Sequence, residues 1–340
     1  MSGEPLDLLV VGAGPTGIAL GAEAVRSGLT VLLVDRGPLL ASLVEYPADL
    51  VFFTTRERLE IAGIPFALPE EKPNRRQAIA YYQAVTAACG VPLALHEEVE
   101  SVSPQPGGGF VVRGRGRAGA TERRSRAVAV ATGYFANPLR LGVPGEDLPW
   151  VRSRYREPWP HFGESVVVVG GGNSGAEAAL ELFRHGARVT LVHRGSALKP
   201  TVKYWLKPDL ENRISEGSIR ALFAAAVVAF EPGAVVVRHP GGTERVAAEA
   251  AYVLIGYAPD PRLLVGAGAS VDAATGVPAF DAESCETDVP GLYVAGTVQA
   301  GRETHRIFIE NSRDHGPRIV RHLLARLRPA APLRPAVPAS

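Results

Sequence analysis

Apolar positions in this chain fall into short unbroken blocks, separated by glycine turns and helical stretches. Leu6–Val11 is one such block, and Gly12-Ala13-Gly14-Pro15-Thr16-Gly17 follows it. Ile18–Ser27 is rich in alanine and reads as a helix that Gly28 stops. Thr30–Val34 is a second apolar block, and it ends at Asp35. Blocks this short, with Leu8–Val11 and Val31–Val34 apolar at every position, suit strands buried on both faces. Their alternation with helices predicts a parallel sheet.

The same order recurs in mid-chain. Ser165–Val169 reads as a strand, Gly170-Gly171-Gly172-Asn173-Ser174-Gly175 as the turn, and Ala176–His185 as the helix. Gly186 stops that helix, and Arg188–Val192 is a strand ending at His193-Arg194. Between the two units, Phe110–Val112 and Arg126–Ala131 read as strands around a Gly/Arg-rich loop, and Gly133–Trp150 as a linker. Val253–Gly256 and Leu292–Ala295 are further short strands, and Ile307–Arg326 is a final helical stretch. Pro329–Ser340 is a Pro/Ala tail expected to be disordered.

In each G-x-G-x-x-G turn the first glycine makes the bend, and the second leaves room for a pyrophosphate. The third lets helix and strand pack closely, while the helix N-terminus offers free N–H groups to the phosphates. Each copy here follows a strand and opens a helix, the context the motif requires. The expected fold class is therefore α/β, with two Rossmann-like dinucleotide-binding units. Residues 1–145 and 256–327 would build the first unit, 146–255 the second, and 328–340 the tail.

The ends of the second strands separate the two ligands. Asp35, followed by Arg36, can accept hydrogen bonds from an adenosine ribose, as FAD or NAD requires. His193-Arg194 offers no acid, and a guanidinium suits a ribose 2′-phosphate. FAD on the first unit and NADPH on the second is the economical assignment, with hydride passing between them. Gly12, Gly14, Pro15, Thr16, Gly17, Asp35 and Arg36 are the first FAD candidates. Thr132, Gly133, Gly296, Thr297 and Ile307 join them from later turns, with Ile307 expected to open a helix toward the flavin ring. For NADPH the candidates are Gly170, Gly172, Asn173, Ser174, Gly175, His193 and Arg194. Hydride transfer needs no protein acid or base. Thr16 is the flavin-proximal catalytic candidate, with His305, Glu310 and His315 as further groups near the ring or a partner subunit.

Composition adds exclusions. The chain has 340 residues with a net charge of +1, so no global field draws it to nucleic acid or to an anionic membrane. Six arginines between Arg113 and Arg126 lack interleaved aromatics and read as a solvated loop. No apolar stretch approaches the length of a membrane span, and the N-terminus lacks a signal-peptide pattern. The only two cysteines, Cys89 and Cys285, form no CxxC and no zinc spacing, so no metal is expected. Such sparse cysteine usage suits the reducing cytoplasm. Cys89 reads as a buried small hydrophobe, and Cys285 as partly exposed in a polar turn.

Together these residues resemble the two-dinucleotide-domain flavoprotein disulfide reductases in their compact, thioredoxin-reductase-like form. Tyr46-Pro47, Phe52–Ile61, Lys72-Pro73-Asn74-Arg75, Ile79–Tyr82 and Ile307–Gly316 sharpen the resemblance to the YpdA-type bacillithiol disulfide reductases. That resemblance implies FAD, NADPH and a low-molecular-weight thiol disulfide as acceptor, in a homo-oligomer (dimer or tetramer). It also implies hinges at Gly133–Trp150 and Tyr257–Asp260 that reorient the second unit. Three positions depart from the pattern. No CxxC precedes the second glycine turn, Thr16 replaces the YpdA-type loop cysteine, and Thr297 replaces an aspartate. The acceptor therefore has alternatives: ferredoxin, another small redox protein, a quinone or oxygen. A non-enzymatic NADP(H) sensor on the same scaffold is the reading from outside enzymology. A flavin monooxygenase is disfavoured because Trp150–Tyr155 lacks the histidine of that group's fingerprint.

Overall fold

The computed structural model describes residues 4–327. The expectation for the tail therefore lies outside the described residues. Strand β1 (Leu6–Val11), helix α1 (Pro15–Arg26) and strand β2 (Val31–Asp35) form the first unit's opening. Short helices α2 (Ala41–Val44) and α3 (Arg56–Leu59) lead to α4 (Arg75–Ala88) and β3 (Leu93–Leu95). Asn74 and Gln77 close a reciprocal capping box at the start of α4. A meander follows: β4 (Glu98–Pro104), β5 (Phe110–Gly116) and β6 (Gly119–Val130).

The first sheet runs β3-β2-β1-β6-β5-β4. β1 pairs in parallel with β2 and β6, placing the first glycine turn between neighbours reached in opposite directions. Successive β1 residues serve opposite faces. Leu8 and Val10 pack with α1 residues such as Ile18 and Leu20, whereas Leu9 and Val11 pack with Val128 and Val130.

The Gly/Arg-rich segment is not a loop. It is the β5–β6 hairpin, turned over only at Arg117-Ala118. Arg113 stands directly opposite Glu122 and binds it at 2.9 Å. Arg123 grips the buried Glu97, and Arg126 pairs with Asp7. Arginines alternating with small or apolar residues give the period of two that a strand needs, and carboxylates on the adjacent strands meet them.

The second unit holds β7 (Val151–Arg152), β8 (Ser165–Val169), α5 (Asn173–Arg184), β9 (Arg188–Val192), α6 (Lys207–Ser215) and β10 (Arg220–Leu222). A three-stranded antiparallel meander comes next: β11 (Ala226–Glu231), β12 (Ala234–His239) and β13 (Gly242–Ala247). β14 (Ala250–Val253) then returns to the parallel sheet, whose order is β10-β9-β8-β14-β7. β14 ends three residues earlier than the sequence suggested, because Leu254 O has to meet the Gly170 turn.

The segment 133–150 is docked, not slack. Leu141, Val143, Leu148 and Trp150 pack on the meander core, and Phe230 N donates to Pro144 O at 2.8 Å. The two chain crossings between units lie side by side. Leu139 N donates to Gly256 O at 2.9 Å, and Ala258 N donates to Asn137 O at 3.1 Å.

Helix α7 (Arg262–Gly266) and β15 (Leu292–Val294) complete the first sheet, with β15 parallel to β6. The last stretch is two helices, α8 (Ile309–Ser312) and α9 (His315–Leu327), not one. Pro317, near the start of α9, has no N–H to carry a helix through from α8. Ile307 lies two residues before α8 and opens no helix, and α8 has only 4 residues. The expected helix dipole at Ile307 is therefore absent. α9 packs on α1 so closely that a Cβ on Gly316 would stand 3.0 Å from Leu20 Cα.

Candidate active site

The two glycine turns are built alike. Gly12 has φ +115°, and a Cβ there would meet Ala131 O at 2.4 Å. Gly170 has φ +134°, and a Cβ there would meet Leu254 O at 2.3 Å. In both, the turn presses on the end of the neighbouring parallel strand, where only glycine fits. A Cβ on Gly17 or Gly175 would collide with the carbonyl of the first glycine at 2.1 or 2.0 Å. At the second glycine the situation reverses. Gly14 faces nothing within 4 Å, and Gly172 meets only Lys199 Cδ at 3.9 Å. Space is left at the position where a pyrophosphate has to approach.

Neither α1 nor α5 has a side-chain cap, and neither carries an acid in its first turn. Uncapped N–H groups and an unopposed positive helix end are what a bound phosphate would satisfy. Pro15 begins α1, where a missing N–H costs nothing.

Asp35 does two things. Its Oδ2 accepts from Ala13 N and its Oδ1 from Gly37 N, both at 2.8 Å, so it clamps the first turn. Each carboxylate oxygen retains a lone pair for ribose hydroxyls. Arg36 is exposed and reaches Glu98 at 3.8 Å. Thr132 Oγ1, at the end of β6, is buried without a partner, an orphan that a ligand at the turn would satisfy. Gly133 and Thr297 are neighbours, since a Cβ on Gly133 would lie 3.6 Å from Thr297 Oγ1. Gly296 and Thr16 also meet, at 3.0 Å from that added Cβ to Oγ1. Thr16, Gly133, Gly296 and Thr297 thus converge, and the open space and the orphaned hydroxyl fit FAD. Among the described residues, Ile307 makes no hydrogen bond to this group.

His315 supports the same turn. It is buried, and its Nδ1 accepts from Gly296 N at 3.1 Å. Burial, then the Arg318 charge, drives its pKa down to about 4, so the ring stays neutral at physiological pH. His305 is exposed and Glu310 half-buried.

On the second unit the geometry refines the expected set. The His193 ring is buried beneath the turn, and a Cβ on Gly171 would overlap it. It packs against the turn, and burial followed by the Lys199 and Arg194 charges lowers its pKa. Arg194 is exposed and has no carboxylate partner among the described residues. Lys199 was not anticipated from the sequence. Its backbone N–H donates to Gly171 O at 3.0 Å, which carries its side chain to the Gly172 opening. One lysine among 36 basic residues, with Lys203 and Lys207 close behind it, gave no signal for this. Asn173 holds the same loop, donating to Thr201 O and accepting from Lys203 N at 2.9 Å. Ser174 is exposed beside it. Gly170, Gly172, Asn173, Arg194 and Lys199 frame an opening that fits NADPH.

Cys285 is buried with 0% exposure in the core around Tyr293, so it is not the partly exposed thiol the polar turn suggested. Burial, the largest effect, pushes its pKa up. Cys89 is half-buried at the end of α4, not fully buried. Among the described residues no cluster could hold a metal ion, and no helix is long and apolar enough to cross a membrane.

The model of the pyridine nucleotide-disulphide oxidoreductase family matches residues 9–296. The chain belongs to that family. Family members bind FAD and use NADPH, and this chain is an FAD-dependent NADPH oxidoreductase with two Rossmann-like units. It is 36% identical to the bacilliredoxin reductase Bdr of Bacillus subtilis (strain 168), covering 94% of this chain and 97% of that protein. A solved structure of bacillithiol disulfide reductase Bdr (YpdA) from Bacillus cereus superposes with a TM-score of 0.92 at 33% identity. It covers 95% of this chain and 100% of its own. The chain is also 26% identical to a ferredoxin–NADP reductase of Ignicoccus hospitalis, covering 86% of this chain and 90% of that protein.

Proposed function

We propose that this oxidoreductase passes electrons from NADPH through FAD to the disulfide of a low-molecular-weight thiol, bacillithiol disulfide being the leading case. One NADPH and one proton would convert one disulfide to two thiols. What carries the reading is end-to-end similarity to bacillithiol disulfide reductases in both sequence and fold. FAD would lie along Gly12, Gly14, Pro15, Gly17, Asp35, Thr132, Gly133, Gly296 and Thr297, and NADPH along Gly170, Gly172–Gly175, Arg194 and Lys199. Bound there, FAD supplies the hydride acceptor and the two-electron carrier. The chain's own part is to position the two nucleotides and to exclude water. We place the domain boundaries at the paired crossings, near 139 and 256, since Leu141–Trp150 packs with the second unit, and the protein in the cytoplasm as a homo-oligomer.

Thr16 is a positioning residue in this reading. Its hydroxyl lies 2.9 Å from Ser312 Oγ and ties α1 to α8. It carries no thiol, and Cys285 is buried. That observation favours a second reading, in which reduced flavin passes electrons directly to ferredoxin, a quinone or oxygen.

The test is an anaerobic half-reaction followed by a panel of acceptors. NADPH should bleach the flavin absorbance much faster than NADH does. Bacillithiol disulfide should then restore the colour faster than ferredoxin, quinone or oxygen. Recovery with ferredoxin or quinone alone would replace the first reading by the second.

A further inference from the structure

β7 is the edge strand of the second sheet, and it pairs with β14 so that Tyr252 stands opposite Arg152. From its last residue onward the chain places Arg152, Arg154 and Arg156 at alternate positions. All three line one cleft of about 230 Å³, together with Tyr252, Glu157 and Pro160. The nucleotide turn lies at the end of β8, two strands away, or about 10 Å at the usual strand spacing. The phosphates of NADPH bound there do not account for these arginines.

Arg152 and Arg154 have no carboxylate within ion-pair distance among the described residues, and Arg156 reaches only the half-buried Glu45, at 3.9 Å. The arginines of the β5–β6 hairpin show the contrast, since Arg113, Arg115, Arg123 and Arg126 each hold an acid. Arg154 is the most constrained of the cleft arginines. Its guanidinium stacks on Phe135 at 5.4 Å, and one amino group donates to Phe135 O at 3.1 Å. Its Nε is buried with no partner. Arg152 is held from behind, donating to the Tyr252 hydroxyl at 3.3 Å. That hydroxyl is bonded at 2.7 Å to His161, whose other ring nitrogen meets Glu164 at 2.6 Å. A fixed, partly desolvated guanidinium lacking a counter-ion is costly unless an anion completes it.

We infer that this cleft is a recognition site for the carboxylates of a small, carboxylate-bearing disulfide acceptor. Its location supports an acceptor over a regulator. Phe135 follows Gly133 of the flavin turn by two residues. Arg156 O accepts from Ala48 N at 2.8 Å, beside Tyr46-Pro47, and Tyr257 OH donates to Ser153 O at 3.3 Å. The cleft therefore opens where the two units meet. Its volume suits a small headgroup and not the face of an acidic redox protein. Glu157 in the lining, and Glu45 beside Arg156, leave a net positive cleft that accepts an anion selectively. The site deepens the small-disulfide reading, and the identity of the acceptor as a disulfide rests on that reading.

The experiment uses oxidised glutathione, which carries carboxylates, and bis(2-hydroxyethyl) disulfide, which carries none. Calorimetric binding to the oxidised FAD-loaded enzyme, without NADPH, should detect the first and not the second. Arg154→Gln combined with Arg156→Gln should weaken it at least tenfold. Arg152→Gln alone is the fallback if the double variant fails to bind FAD. Equal binding of both disulfides, no binding of either, or a dissociation constant unmoved by the substitutions would overturn the site. Turnover with NADPH separates the two ideas. Arginine-dependent binding without flavin reoxidation sustains the site and removes the small-disulfide reading. Disulfide reduction undiminished in the variants does the reverse. Loss of ferredoxin reduction, with glutathione disulfide binding unchanged, overturns the site as one for a small ligand.

Discussion

Thr16 and Ser312 lie 296 positions apart in the chain, and their hydroxyl oxygens stand 2.9 Å apart. Ser312 is buried, and its hydroxyl also reaches Ile309 O, at 3.4 Å. The pair joins the first glycine turn to the last segment of the same unit. Thr16→Val should therefore cost about 1 kcal/mol of stability, read as a lower urea midpoint with FAD saturating. An unchanged midpoint would mean that Ser312 re-pairs with Ile309 without loss.

The glycines separate folding from cofactor binding. Gly17→Ala places a Cβ 2.1 Å from Gly12 O, so the turn has to open. That variant should melt early and purify without flavin. Gly14→Ala meets open space. It should keep its far-ultraviolet dichroism and melt near the wild-type apoprotein, yet show a greatly reduced ratio of flavin to protein absorbance. Full flavin content in Gly14→Ala would argue against a pyrophosphate at this turn.

Nucleotide choice should follow Arg194 and Lys199. A charge-assisted hydrogen bond to phosphate contributes about 1.5–3 kcal/mol, roughly a factor of ten to a hundred. Arg194→Ala should raise KM for NADPH by about that factor and leave the NADH rate nearly unchanged. Lys199→Ala should act in the same direction. Stopped-flow flavin reduction with both nucleotides measures it, and a parallel loss with NADH would contradict a 2′-phosphate contact.

His315 makes stability depend on pH. Its folded pKa, about 4, lies below the unfolded value near 6.5, because burial disfavours the charged ring. Its contribution is fully present above pH 6.5 and is lost as pH falls from there toward 4. The full difference is on the order of 3 kcal/mol. Denaturant midpoints between pH 7 and 4.5 should decline, and His315→Gln should flatten that slope.

Glu177 carries the opposite sign. Burial, then the Glu181 charge, raises its pKa to about 7. A raised acid pKa favours folding fully below the unfolded value near 4.5, and that contribution is lost as pH climbs through 7. Glu177→Gln should therefore stabilise the protein at pH 8 relative to pH 6. The difference in melting temperature between variant and wild type across that range is the measurement.

Much of this protein is legible in local pattern. Leu6–Val11 and Ser165–Val169 are strands as read, because an unbroken apolar run (Leu8–Val11 and Val166–Val169) before a glycine turn has few other stable conformations. Asp35 closes β2, and Arg194 follows the end of β9 by two residues. What failed locally failed through tertiary contacts. The arginine-rich segment became a hairpin because Glu100 and Asp7 on other strands, and Glu97 just ahead of β4, meet its charges. Cys285 is buried because β15 and α9 close over a turn that looks polar in isolation. Lys199 reached the nucleotide opening only through a backbone bond to Gly171, and Arg154 meets Phe135, 19 positions earlier, only in the folded chain. The sequence by itself determined the two nucleotide-binding units, since glycine spacing and apolar runs act over a few residues. The folded chain decided which distant residues share a site, because hydrogen bonds and ion pairs depend on distances in space and not on separation along the chain.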